Sequence, residues 1–62
     1  MDRESFLSMD PNILLSMVNM KLRDFHSDLS SLCEDIGVTE EELKNKLNSI
    51  GYKYIKDINQ FK

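Results

Sequence analysis

The apolar positions of this chain fall into three helical repeats followed by a short alternating stretch. Between Pro11 and Phe25, projection at about 100° per residue gathers Leu14, Leu15, Val18, Leu22 and Phe25 on one arc, with Ile13, Met17 and Met20 on an adjacent stripe. Together they span well over half the circumference, whereas a helix covered on one side needs an apolar arc of only about 100°. Ser16, Asn19 and Arg23 form the unbroken polar edge, and Asp24 falls near the second stripe. The pattern predicts burial on two sides. The first arc faces the domain; the Ile13, Met17, Met20 stripe meets either the rest of the chain or a partner surface, and methionine is flexible enough for both. Asp10 and Pro11 predict the start, since the Asp side chain accepts from free first-turn amides and proline is best tolerated at the first helical position. Met9 and Leu14 stand at the spacing of a hydrophobic staple.

A second helix follows Ser27 and Asp28, both good N-caps, with Leu29, Leu32, Cys33 and Ile36 at i, i+3, i+4 and i+7 and Gly37 at its end. Thr39 and Glu42 have the spacing of a capping box, and Val38 with Leu43 makes a second staple. The third helix, about Glu40 to Ile50, carries Leu43, Leu47 and Ile50, and Gly51 is placed to leave it in the left-handed conformation. The tail YKYIKDINQFK changes character and predicts a hairpin. Its strands lie near Tyr52 to Ile55 and Asn59 to Phe61, joined through Lys56, Asp57 and Ile58, with Asn59 tolerant of a positive φ. Tyr52 and Tyr54 share one strand face, where they can cover the helices. Residues 1–9, MDRESFLSM, show no sustained period and are expected to be a loosely ordered arm ahead of one domain over residues 10–62.

Composition narrows the classes. The 62 residues hold 8 Lys+Arg against 11 Asp+Glu, a formal charge of −3, with one Cys and one His. No apolar run exceeds Ile13, Leu14 and Leu15, far below the ~20 residues of a membrane-spanning helix, and no signal-peptide core follows the N-terminus. A lone cysteine makes no internal disulfide, and with one histidine it falls short of the usual zinc ligand set, so a reducing, cytoplasmic setting and no metal or cofactor are expected. Domains this small seldom draw more than about 3–5 kcal/mol from one core, which makes association with a partner or a second copy a physical expectation.

The segment LSSLCEDIGVTEEELKNKLNSIGY, Leu29 to Tyr52, is similar to a helix-turn-helix, with Cys33 at the close crossing and Gly37 in the turn. Gly51 and the hairpin that follows resemble the winged-helix branch. Over Asp10 to Lys62 the chain also resembles a family of short bacterial proteins of unassigned function, which share a leading helix like NILLSMVNMKLRD and a closing NQF. The expected fold class is mainly α: a three-helix bundle with a helix-turn-helix-like pair and a short C-terminal β-hairpin.

Two functions follow. The first is a non-catalytic interaction module that forms a homodimer or docks a protein partner through Ile13, Met17 and Met20. The second is a small DNA-binding regulator using Lys44, Asn45, Lys46, Asn48, Lys53 and Lys56. Residues 39–62 carry five lysines against four carboxylates. Yet a reading helix enters the groove by its N-terminal part, which here is Glu40, Glu41, Glu42, facing a polyanion with one charge per ~1.7 Å. Those glutamates also suit the helix dipole. No catalytic site is expected. His26 reads as a C-terminal helix residue without an orienting partner, and Cys33 as a small core hydrophobe beside Glu34 and Asp35. Gly37 and Gly51 are isolated at helix ends, so no phosphate-cradling loop exists, and Asp24, Asp28 and Asp35 lack calcium-loop spacing.

Overall fold

The structure, a computed structural model, describes residues 3–62. Four helices, α1 (Arg3–Ser8), α2 (Pro11–Asp24), α3 (Leu29–Ile36) and α4 (Glu40–Asn48), precede strand β1 (Tyr54–Ile55), a 3-10 turn (Lys56–Ile58) and strand β2 (Gln60–Phe61). The chain is mainly helical and ends in a two-stranded antiparallel hairpin.

The caps form as the sequence predicts. The Asp10 carboxylate accepts from the Asn12 amide at 2.8 Å, and Asp28 accepts from the Ser31 amide at 2.8 Å. Thr39 and Glu42 close the capping box, the Glu42 amide donating to the Thr39 hydroxyl at 3.1 Å and the Thr39 amide to the Glu42 carboxylate at 3.0 Å. Gly37 leaves α3 at φ 86° and Gly51 follows α4 at φ 88°, a region where a side chain is strained. These bonds hold the Asp28 and Glu42 carboxyls below the ordinary carboxylate range. For Asp28 the main cause is the Ser31 amide; for Glu42 it is the Thr39 amide, followed by the Arg3 guanidinium. A depressed carboxyl contributes stability that is present above its unfolded value, about 4, and lost as pH falls through the lower folded value. Acid unfolding followed by circular dichroism is therefore expected below about pH 4. An Asp28→Ser variant, which retains a neutral cap, should show a shallower loss over that window.

Leu14, Val18 and Leu22 of α2 meet Leu29, Leu32 and Ile36 of α3 and Leu43 and Leu47 of α4, all buried. Three sequence expectations change here. The arm is not loose over its described part: Arg3–Ser8 is helical and Phe6 is 0% exposed, giving a fourth helix beside the expected three. A six-residue helix has too few internal bonds to hold itself, so α1 depends on its attachment to the domain. Phe6 enters the core, Arg3 pairs with Glu42, and the Lys46 ammonium donates to the Leu7 carbonyl at 3.0 Å while lying 5.6 Å from the Phe6 ring centre. Met1 and Asp2 of the expected arm lie outside the described residues.

Phe25 is the second change. It is 71% exposed instead of joining the core arc, because α2 ends at Asp24 and the backbone turns at φ −126°. Its ring lies 5.9 Å from the Lys21 ammonium. Third, α4 and both strands are shorter than expected, with Ile50 and Tyr52 falling in connecting backbone.

The hairpin is locked onto α2 by amide side chains. Lys53 and Lys62 exchange both backbone bonds, so in the register Tyr54 to Phe61 the backbone groups of these two residues point outward, away from each other. On the β2 side Asn19 meets them: its Oδ1 accepts from the Phe61 amide at 2.8 Å and its Nδ2 donates to the Phe61 carbonyl at 3.0 Å. Gln60 Nε2 donates to the Asn19 carbonyl at 3.0 Å. Asn59, at φ 53°, donates from Nδ2 to the carbonyls of Leu22 and His26 at 2.9 and 3.0 Å, and accepts from the Tyr54 hydroxyl at 2.6 Å.

Candidate protein-interaction surface

α2 presents its core arc inward and its second stripe outward. Ile13 is 63% exposed and Met20 37% exposed, while Met17 is half-buried and touches the core. The structure thus keeps Ile13 and Met20 open to solvent and gives Met17 a partly structural role. Among the described residues the N-terminal segment does not close over Ile13, since Phe6 turns into the core and Leu7 is itself exposed. At the far end of the stripe stands Asp24, whose carboxylate accepts two bonds from the Arg23 guanidinium, each 3.0 Å. That pairing draws the Asp24 carboxyl below its ordinary value.

The six residues of the nucleic-acid reading do not form one surface patch of equal availability. Asn45, Asn48, Lys53 and Lys56 are exposed. Lys44 is half-buried, with its ammonium 4.0 Å from Glu40 one turn back. Lys46 is committed to α1, where its donor satisfies the Leu7 carbonyl. Nothing in the pattern of α4 alone signals that role, because the partner lies 39 residues away.

An open groove of about 600 Å³ runs between the start of α3, α4 and the hairpin. Its polar side chains are largely occupied: Asp28 caps α3, Glu40 faces Lys44 and Tyr54 bonds Asn59. Cys33 is buried, and burial, then the Glu40 charge, push its thiol up to about 11, the opposite of a nucleophile's setting. His26 closes α2, its amide donating to the Lys21 carbonyl at 2.9 Å, and its ring Nε2 lies 3.4 Å from Asp35. Among the described residues no three His, Cys, Asp or Glu side chains gather into a metal-holding group, and no helix is long and apolar enough to cross a membrane.

The family model for the Domain of unknown function (DUF4250) matches residues 8–61. The chain belongs to that family. The DUF4250 match takes in α2, α3, α4 and the hairpin, and so contains both the exposed stripe and the Asn19 and Asn59 locks, whereas Phe6 lies outside it. Comparison with curated proteins and with solved structures finds no match.

The residues that sequence reasoning missed are the amides. Asn19 reads as part of a polar helix edge, although it is the element that receives β2. The available signal was its position at the border of the apolar arc, where a half-buried amide meets a neighbouring element.

Proposed function

We propose that this DUF4250 chain is a non-catalytic interaction module that docks a protein surface through the α2 stripe. The observation that carries the reading is the exposure of Ile13, 63%, in one row with half-buried Met17 and exposed Met20, on the helix whose Leu14, Val18 and Leu22 enter the core. Enclosing a side chain such as Ile13 favours association by roughly 1.5–3 kcal/mol, so the row supplies an apolar centre that a polar rim can complete. The α3 and α4 pair, read as helix-turn-helix-like, then serves as scaffold. A bacterial, cytoplasmic setting fits this reading.

The experiment compares what wild-type protein and an Ile13→Glu, Met20→Glu double variant retain from native lysate, with Ile58→Glu as an exposed control away from the stripe. A bound protein held by wild type and control and released by the double variant is the expected result. Equal retention by all three overturns it. The DNA-binding reading draws on exposed Asn45, Asn48, Lys53 and Lys56 and on Lys44. It requires duplex binding that weakens steeply with salt and is lost in Lys44→Glu.

A further inference from the structure

We infer that the open margin of β1 takes an extended, acidic segment of a partner protein as a third strand, with a carboxylate opposite Lys53 and an apolar side chain opposite Ile55. This site is separate from the α2 stripe and does not depend on it. The antiparallel register points the Tyr54 N–H and C=O away from β2, and among the described residues Tyr54 is bonded only through its hydroxyl. On β2 the outward groups are taken by Asn19; β1 has no such substitute. The margin is short, because the Tyr52 amide already donates to the Leu47 carbonyl and the 3-10 turn begins at Lys56. A donor and an acceptor side by side on one residue suit an incoming peptide backbone, whereas a phosphate brings acceptors alone.

Side-chain alternation then sets the sequence this edge selects. Lys53 and Lys62 stand directly opposite each other, both exposed, on the face they share with Ile55, which is 40% exposed. Among the described residues neither forms an ion pair, and neither does Lys56. Like charges directly opposite are destabilising, and a carboxylate on an added strand relieves them. Residues 52–62 hold three lysines against Asp57 in a chain of net charge −3, so the positive charge is local to the hairpin. The residue opposite Tyr54 points with the tyrosine side chain, toward the groove that Asp28 and Glu40 line, and an uncharged group belongs there. The segment therefore reads acidic, uncharged, apolar. A nucleic acid laid along the margin would meet Glu40 in the same groove. A second copy of β1 offers Lys53 no carboxylate: antiparallel pairing at Tyr54 sets Ile55 opposite it, and parallel pairing sets Lys53 itself.

Amide magnetic-resonance spectra of the full chain, titrated with a synthetic peptide of two Asp-Thr-Val-Thr repeats, test the site. Read in either direction, that peptide places Asp and Val on one face with Thr between them. The expected result is a shift centred on the Tyr54 amide that saturates at millimolar peptide and weakens with salt. The same peptide methylated on its threonine backbone nitrogens cannot donate to the Tyr54 carbonyl and should leave that amide unmoved. Repeats of Lys-Thr-Val-Thr should bind about fivefold more weakly. In Lys53→Glu, which gains Lys62 as a cross-strand partner and keeps the fold, the preference between the two peptides is expected to reverse. Absence of a Tyr54 shift at millimolar peptide overturns the site. Equal binding of the methylated peptide overturns the strand pairing, and an unchanged preference in Lys53→Glu overturns the acidic selection. Lys53-dependent binding of a DNA duplex without binding of the peptide overturns the protein segment in favour of a nucleic acid. Tyr54 shifts on raising the protein concentration alone overturn it in favour of a second copy.

Discussion

Phe6→Ala is expected to bring the chain to the edge of unfolding at 25 °C. Phe6 is fully enclosed, and removing a buried phenylalanine side chain costs about 3–5 kcal/mol. A single core in a domain of this size provides a total of similar magnitude. Urea unfolding followed by far-ultraviolet circular dichroism measures it, with Leu7→Ala, an exposed neighbour on the same helix, expected to shift stability by less than about 0.5 kcal/mol. A Phe6→Ala loss no larger than that of the control would show that α1 does not belong to the core. The same titration on a protein lacking residues 1–8 should give a comparable loss, since the Arg3 to Glu42 pair, with its Arg3 side chain more than half exposed, adds little beside the aromatic ring.

Asn59 is the second position where a small change is expected to have a large effect. Its side chain makes three bonds, to the carbonyls of Leu22 and His26 and with the Tyr54 hydroxyl, and its backbone occupies the left-handed region. Asn59→Gly keeps the backbone accessible and removes the bonds. At roughly 1 kcal/mol each, with some access of water, a loss of about 2–3 kcal/mol is expected. Asn59→Ala adds the cost of placing a Cβ residue at φ 53°, about 1 kcal/mol more. Thermal unfolding of the two variants checks both the total and the order. If alanine proves as good as glycine, the positive φ is not retained in the variant and the hairpin has rearranged.

The helices were legible because their determinants are local. Asp10, Asp28 and the Thr39 to Glu42 box each act within three residues, and Gly37 and Gly51 mark chain reversals through their own backbone freedom. The turn of the hairpin was legible for the same reason, through Asn59. What escaped is long-range. Phe6 in a short segment without period carries no sign that it fills a gap in the core, and Lys46 carries no sign that its partner is the Leu7 carbonyl. Phe25 was misassigned because periodicity says which side a residue takes while the helix lasts, and the helix ends one residue earlier. For the surface, the excess width of the apolar arc on α2 singled out Ile13, Met17 and Met20 but left open whether the rest of the chain covers them; Ile13 and Met20 are exposed. Met17, which lies between the two arcs, serves the core in part.

The Asn19 amide reproduces, with one side chain, the pair of bonds that a neighbouring strand would make to Phe61. Cross-β growth on this hairpin is thereby confined to one direction, because fibril addition at β2 would first have to displace α2 from it. The other margin offers Tyr54 between Lys53 and Ile55, with Lys56 next along the chain, where successive incoming copies would stack like charges. The β2 margin of the hairpin is thereby a poor template for an added strand.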